Sequence, residues 1–344
     1  MRIPEPFVDA TPLLDDPQAL RAQFAESGYL YVPGAVDTNH LKKVRDDILD
    51  VLRNHRWLTK NAEGLLPARA ATVEGDDDYL TAYSDIQLLE SFHRVPHLPE
   101  ITQLMDSLFG APNFPHPLSI ARLCFPDATD FATPAHQDFP NNQGTTELHA
   151  IWIPLHDCPV RRGPLQILEG SQHLGLLPVD AALGAGAVEA RVKQPELQWH
   201  SSDMKLGDVL IFNSLTVHRA APNQTKEFRL SVDYRFQPSG AALTPGSLLP
   251  HFNAHPWDHI YNGWKCSDLD RYWEAFDYTV EPFDPDLRSA NEASVLRMTA
   301  DQFKFTIAQY ELSLERGWTP SPELEAAAQS IRTAINSARK SSQG

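Results

Sequence analysis

Three side chains in this sequence have the types and spacing to hold a metal ion. His136 and Asp138 stand two apart in the segment TPAHQDFP, where a strand-like stretch gives way to a loop. In extended chain, residues i and i+2 project to the same face, so an imidazole and a carboxylate placed there converge on one point. Such a pair is common by chance, and its meaning depends on a third donor. His218 supplies one, delivered by the apolar stretch VLIFNSLTV. Two histidines and one carboxylate occupy one face of an octahedral ion and leave three positions open for a co-substrate and oxygen. Arg229 follows eleven residues later in RLSVDYRF. A guanidinium at a strand position takes a carboxylate through two parallel hydrogen bonds. Ser231, two residues further, faces the same way and offers a hydroxyl. Taken singly, a histidine such as His218 is more often a satisfied polar residue and an arginine such as Arg229 a surface ion pair. The order and spacing of the four carry the argument.

The rest of the chain must position them. At 344 residues, with 42% hydrophobic and 22% charged residues, it has the composition of a globular protein able to bury a sizeable core. A formal net charge of −16 works against nucleic acid and anionic membrane as partners and leaves a small-molecule substrate as the expectation. Cys124, Cys158 and Cys266 are widely spaced and odd in number, which fits a reducing cytoplasm better than a disulfide framework. The first residues lack the apolar stretch of an export signal, and no apolar run reaches the roughly 18 residues of a membrane span. Composition leaves monomer and homodimer equally open.

Periodicity predicts a helix near Gln18 to Ser27, a strand over Tyr29 to Val32, and a longer helix behind an Asp37 or Thr38 cap, with Leu41, Val44, Ile48, Val51 and Leu52 on one face. Residues 60 to 85, with the acidic run Glu74 to Asp78, read as a solvated loop. Helices are expected near Ser84 to His93 and Pro99 to Phe109, the second stopped by Gly110. From about residue 112 to 238 the chain becomes short apolar segments between Pro, Gly, Asn and Asp: SIARLCF, LHAIWIPLHD, PLQILEG, DVLIFNS and RLSVDYRF. That punctuation predicts an antiparallel sandwich or small barrel. Beyond Pro238 comes an aromatic stretch with Phe252, Trp257, Tyr261, Trp264, Tyr272 and Trp273, then helices over Leu296 to Arg316 and Pro322 to Ala338. The aromatic stretch suits a lid over a site, a packed core element or a dimer contact. Asn213 and Asn223 read as loop organisers, and Cys124 and Cys158 as small core residues.

The triplet HQD, the segment GPLQILEGSQH (163–173), the segment GDVLIFNSLTVHRAAPNQT (207–225) and the opening FAESGYLYVPGAVDTNHLKKVRDDI together resemble the phytanoyl-CoA dioxygenase family of iron(II)/2-oxoglutarate oxygenases. The resemblance implies a mainly β, α+β fold with a double-stranded β-helix (jelly-roll, cupin-like) core over about 112–238. Helical support over about 17–110 and a lid-like segment with C-terminal helices over about 239–340 would complete one oxygenase domain spanning 1–344. It implies Fe(II) on His136, Asp138 and His218, with 2-oxoglutarate and O2 as co-substrates. The distal carboxylate of 2-oxoglutarate falls to Arg229, and Trp152 matches a family tryptophan near it. Where some members carry a hydroxyl two residues after the second histidine, this chain has Ala220, so Ser231 becomes the candidate for that contact. His173, in a turn one residue longer than the family's, reads as structural.

The implied activity is hydroxylation, or another oxidation at an unactivated C–H bond, of a small molecule such as a secondary metabolite, with release of succinate and CO2. Because Asp138 fills the position a halide would need, halogenation is disfavoured. A non-catalytic β-helix binding protein and a cupin-type metalloenzyme without 2-oxoglutarate are the competing readings.

Overall fold

The structure is a computed structural model. It describes residues 3–288 apart from 60–64, 75, 127, 129, 130 and 187, together with residues 322, 325, 326, 328 and 329. The expected helices over Leu296 to Arg316 and Pro322 to Ala338 lie outside the described residues but for those last positions.

Helix α1 (Pro17–Ser27) starts where the Asp16 carboxylate accepts hydrogen bonds from the backbone of Gln18 and Ala19, and α2 (Thr38–Asn54) is capped by Asp37 in the same way. Strand β1 (Tyr29–Val32) lies between them. Helices α3 (Asp77–Ile86), α4 (Glu90–Arg94) and α5 (Pro99–Phe109) follow, and α5 ends at Gly110, whose φ of 64° is the left-handed cap that a glycine adopts without strain. The β region contains β2 (Asn113–Pro115), β3 (Ile120–Cys124), β4 (His149–Pro154), β5 (Leu165–Leu168), β6 (Val179–Ala181), β7 (Val188–Ala190), β8 (Trp199–His200), β9 (Val209–Asn213), β10 (His218–Ala220) and β11 (Arg229–Pro238). The one-turn helix α6 (Phe139–Asn142) sits between β3 and β4.

Two antiparallel sheets face one another. The larger has the order β1-β9-β4-β11-β2, with β3 also paired to β11, and the smaller the order β10-β5-β8. Side chains alternate along every strand of the larger sheet. Leu30, Val32, Ile151, Ile153, Val209, Ile211, Leu230, Val232, Tyr234 and Phe236 face outward into a core shared with α1, α2, α3 and α5. Their neighbours Tyr29, Tyr31, Ala150, Trp152, Leu210 and Phe212 face inward and meet Leu165, Ile167 and Ala220 of the smaller sheet. This is the two-sheet, jelly-roll arrangement expected from the punctuated β segments. Gly163 marks a close approach at the start of β5: its φ is 83°, and an added Cβ would lie 2.2 Å from the Ala221 carbonyl oxygen. Among the described residues no helix is long and apolar enough to cross a membrane.

Two expectations need correction. The segment read as a loop up to residue 85 ends in α3, because Tyr79, Ala82, Tyr83 and Ile86 recur at helical spacing and bury one face. Only part of its acidic run is solvated: Asp76, Asp77 and Asp78 are exposed, whereas Glu74 turns inward to Arg122 at 3.6 Å. The helix expected over Ser84 to His93 is instead two, broken at Gln87–Leu89, where the buried Gln87 side chain reaches across to the Ser119 carbonyl.

The aromatic stretch divides. Trp257, Ile260 and Trp273 close with Phe114 and Leu243 into a separate apolar cluster, which is the packing role. Phe252 stacks edge-on against Tyr83 and lines the cavity described below.

Candidate metal centre

The two histidines are brought together by the backbone before any side-chain contact forms. His136 and His218 face each other in an isolated antiparallel bridge, each backbone N–H donating to the other's carbonyl at 2.9 Å, which sets the rings 4.2 Å apart. Gln137, between His136 and Asp138, points the other way. It is buried, and its amide bonds the carbonyls of Gly175 and Leu215 and the Leu177 N–H, pinning the loop. Asp138 then starts α6, its carbonyl accepting from the N–H groups of Asn141 and Asn142. His136, Asp138 and His218 thus stand 4%, 3% and 3% exposed, with one ligand atom from each lying within 4.8 Å of the others.

Their orientation suits a cation. Nδ1 of each ring faces a carbonyl, that of His136 the Pro134 carbonyl at 2.8 Å and that of His218 the Thr216 carbonyl at 3.0 Å, which leaves Nε2 as the atom turned to the site. Those Nε2 atoms lie 3.6 and 3.8 Å from Asp138 Oδ1. Burial and the neighbouring His136 push His218 down to about 3, keeping it neutral. Burial acts to raise the Asp138 carboxyl, but Arg235 and the two imidazoles outweigh it and hold the group well below the usual carboxylate range.

Arg229 and Ser231 stand on the inner face of β11. Antiparallel register sets Cys124 opposite Arg229 and Arg122 opposite Ser231. Arg229 is 2% exposed, and its hydrogen bonds go to neutral groups, Ser231 Oγ at 3.3 Å and Cys124 Sγ at 2.7 Å. No carboxylate pairs with it among the described residues. Cys124 is therefore more than the small core residue expected. Ala220 lines the same small cavity as Arg229. The Trp152 ring centroid lies 6.0 Å from the Arg229 guanidinium carbon, and Trp152 Nε1, though buried, has no hydrogen-bond partner among the described residues. His173 is exposed on the far side of its turn, bonded to the Glu26 carbonyl, as its structural reading requires. Asn213 and Asn223 cap turns through the Leu215 and Thr225 N–H groups.

The same strand carries groups that motif reading passed over. Asp233 and Arg235 continue the inward-facing set, 4% and 3% exposed. Arg235 Nη2 donates to Asp138 Oδ2 at 3.0 Å while its Nη1 donates to Asp233, and Asp233 accepts from Arg122 Nε at 3.1 Å. Arg122 in turn meets Glu74, whose carboxyl is raised by burial. The period-two pattern of RLSVDYRFQ contained this signal. Nothing in the sequence marked Glu74. His136, Asp138, Arg235, Arg122 and Glu74 open on a cavity of about 650 Å³, walled elsewhere by Leu118, Ile120, the 244–253 segment and residues 282, 283 and 288.

Residues 24–231 match the profile of the phytanoyl-CoA dioxygenase (PhyH) family. The chain is 27% identical over 268 residues to the 1-deoxypentalenic acid 11-beta-hydroxylase of Streptomyces exfoliatus, covering 70% of this chain and 89% of that one. It is 26% identical over 180 residues to the L-proline trans-4-hydroxylase of Streptomyces griseoviridis, covering 51% and 61%. Among solved structures it is similar, at a TM-score of 0.48 and 22% identity over 66% of this chain and 86% of the other, to the epimerase SnoN in complex with Fe3+, alpha ketoglutarate and nogalamycin RO.

Proposed function

The chain belongs to the phytanoyl-CoA dioxygenase family, and on that premise we propose that it is an Fe(II)- and 2-oxoglutarate-dependent dioxygenase that hydroxylates a small, partly apolar metabolite. The observation that carries this reading is the convergence of His136, Asp138 and His218, buried, with each imidazole Nδ1 turned to a carbonyl and the three mutually within ligand reach. Two imidazoles and one carboxylate are the donor set that suits Fe(II) and leaves open positions. The carbonyls behind each imidazole are the outer support that such sites use.

Arg229 fits the co-substrate for a separate reason. Among the described residues this buried guanidinium is bonded only to a hydroxyl and a thiol and has no counter-charge, and a dicarboxylate supplies one. Ser231 and the unpartnered Trp152 Nε1 are the accessory contacts. With both bound, the centre supplies the oxidation of a C–H bond by O2, with release of succinate and CO2. The protein's part is to orient the ligands and to keep that chemistry inside a sheltered space.

The cavity's size argues about substrate. At about 650 Å³ it is in the range of drug-sized ligands and generous for a free amino acid, which favours a larger metabolite. Its wall mixes Leu118, Ile120, Leu249 and Phe252 with Asn141, Asn142, Thr244 and Ser247. Because Glu74, the β core and the 244–253 segment all contribute, we read the chain as one catalytic unit, with Phe252 as its lid-like element.

The test is succinate formation dependent on Fe(II) and 2-oxoglutarate across a panel of candidate metabolites. A chain that binds neither Fe(II) nor 2-oxoglutarate, or that turns over undiminished without 2-oxoglutarate, would overturn the reading.

A further inference from the structure

Asp138 presents its two oxygens to different neighbours. Oδ1 faces both imidazole Nε2 atoms at 3.6 and 3.8 Å, and Oδ2 accepts from Arg235 Nη2 at 3.0 Å. We propose that Arg235 is a positioning residue that restricts Asp138 to a single coordinating oxygen, so that a metal held by the triad keeps three positions free. The inference rests on the metal reading above.

A carboxylate beside a divalent cation can bind through one oxygen or both. In a facial site the second oxygen would take a fourth position and leave two. A keto acid that chelates the metal needs two, and oxygen needs a third. Charge-assisted hydrogen bonding to Arg235 occupies Oδ2 on the side away from the imidazoles.

The guanidinium that does this is itself fixed. Its other terminal nitrogen is held by Asp233, which is held by Arg122, which meets Glu74. Asp138, Arg235, Asp233 and Arg122 thus form one chain of ion pairs that alternates in sign from the start of α6 across β11 to β3. A planar fork clamped at two corners does not rotate away as a single ammonium would. A simple need to neutralise Asp138 would be met by any nearby cation. The directed contact to Oδ2 and the bracing behind it point to orientation.

The two roles differ in what they do to ligand binding. With Arg235→Gln, Asp138 is free to chelate. Co(II) affinity of the full chain should stay within a few-fold of the wild type or tighten, while 2-oxoglutarate affinity of the Co(II)-loaded protein falls about tenfold or more, although Arg235 is not an assigned contact of 2-oxoglutarate. Co(II) itself is the probe, because its visible absorption changes with coordination number. Adding 2-oxoglutarate should change the spectrum of the wild type and leave that of the variant nearly unchanged, and Arg235→Lys should restore part of the response. If Arg235→Gln does not fold, Asp233→Asn, which leaves the guanidinium in place but unclamped, carries the test with the same signs.

Folded variants that bind Co(II) and 2-oxoglutarate like the wild type would overturn the proposal and leave the metal reading intact. Loss of Co(II) and 2-oxoglutarate binding in proportion would overturn it in favour of charge neutralisation. A wild-type chain that takes up no Co(II) would overturn the metal reading first.

Discussion

Replacing Arg229 by methionine should stabilise the protein in the absence of 2-oxoglutarate and abolish the stabilisation that 2-oxoglutarate confers. The guanidinium is 2% exposed and bonded to Ser231 and Cys124, neither of which carries an opposing charge. A buried charge without its partner costs about 3–5 kcal/mol. Methionine removes that cost and keeps most of the volume. It forfeits two hydrogen bonds to neutral groups, each contributing about 1 kcal/mol. The balance for the ligand-free protein is a gain of about 1–3 kcal/mol from those two magnitudes. The wild type should be stabilised by about 2.7 kcal/mol when 2-oxoglutarate is present at a hundred times its dissociation constant, and the variant not at all. Thermal unfolding of metal-loaded protein, with and without 2-oxoglutarate, reads both effects in one experiment. The wild type should melt first without 2-oxoglutarate and rise with it, while the variant's midpoint stays fixed. A variant destabilised by more than about 1 kcal/mol without ligand would mean that Arg229 is a structural ion-pair residue. A variant still stabilised by 2-oxoglutarate would mean that the anchor lies elsewhere.

Removing His218 as alanine should take metal content from one ion per chain to none after desalting, with little change in the far-ultraviolet circular dichroism. Gly163→Ala should destabilise the fold by about 1–3 kcal/mol, read as a lower urea midpoint, since its Cβ would meet the Ala221 carbonyl. The chain should also lose stability in mild acid. Burial pushes His93, His116 and His149 down to about 4, so each is neutral in the fold and more basic when unfolded. Their contribution is fully present above the unfolded value of about 6.5 and is lost as pH falls towards 4, at about 4 kcal/mol per pH unit for the three together in mid-range. A urea midpoint that is flat from pH 6.5 to 4.5 would refute this assignment.

Elements with a strong local signal were legible in the sequence. The Asp37 cap and the three- and four-residue spacing located α2, and Gly110 located the end of α5. In the β region, the apolar segments matched β3, β4, β5, β9 and β11 because each is bounded by residues that end a strand. The break at Gln87 was hidden because a long-range hydrogen bond to Ser119 decides it. Glu74 was hidden for a similar reason: its partner Arg122 is distant in sequence, and an acidic run on its own reads as surface. The triad residues were legible through their order, and the structure adds the bridge that makes His136 and His218 neighbours. Arg235 and Asp233 were within reach of the same i+2 reasoning that selected Ser231, had it been carried further along the strand.

Strand β11 writes two messages in alternate letters. Its even residues, Leu230, Val232, Tyr234 and Phe236, anchor the helices, and its odd residues, from Arg229 to Gln237, face the interior. Losing or gaining one residue ahead of Ser231 would exchange the two sets from there on, thrusting Asp233 and Arg235 into the helical core and an aromatic ring, Tyr234 or Phe236, towards Asp138. Length is therefore closed to variation along this strand. New specificities have to arise elsewhere, in the cavity wall of Leu118, Ile120, Asn141 and the 244–253 segment, and libraries for redirecting the protein should be confined to those positions.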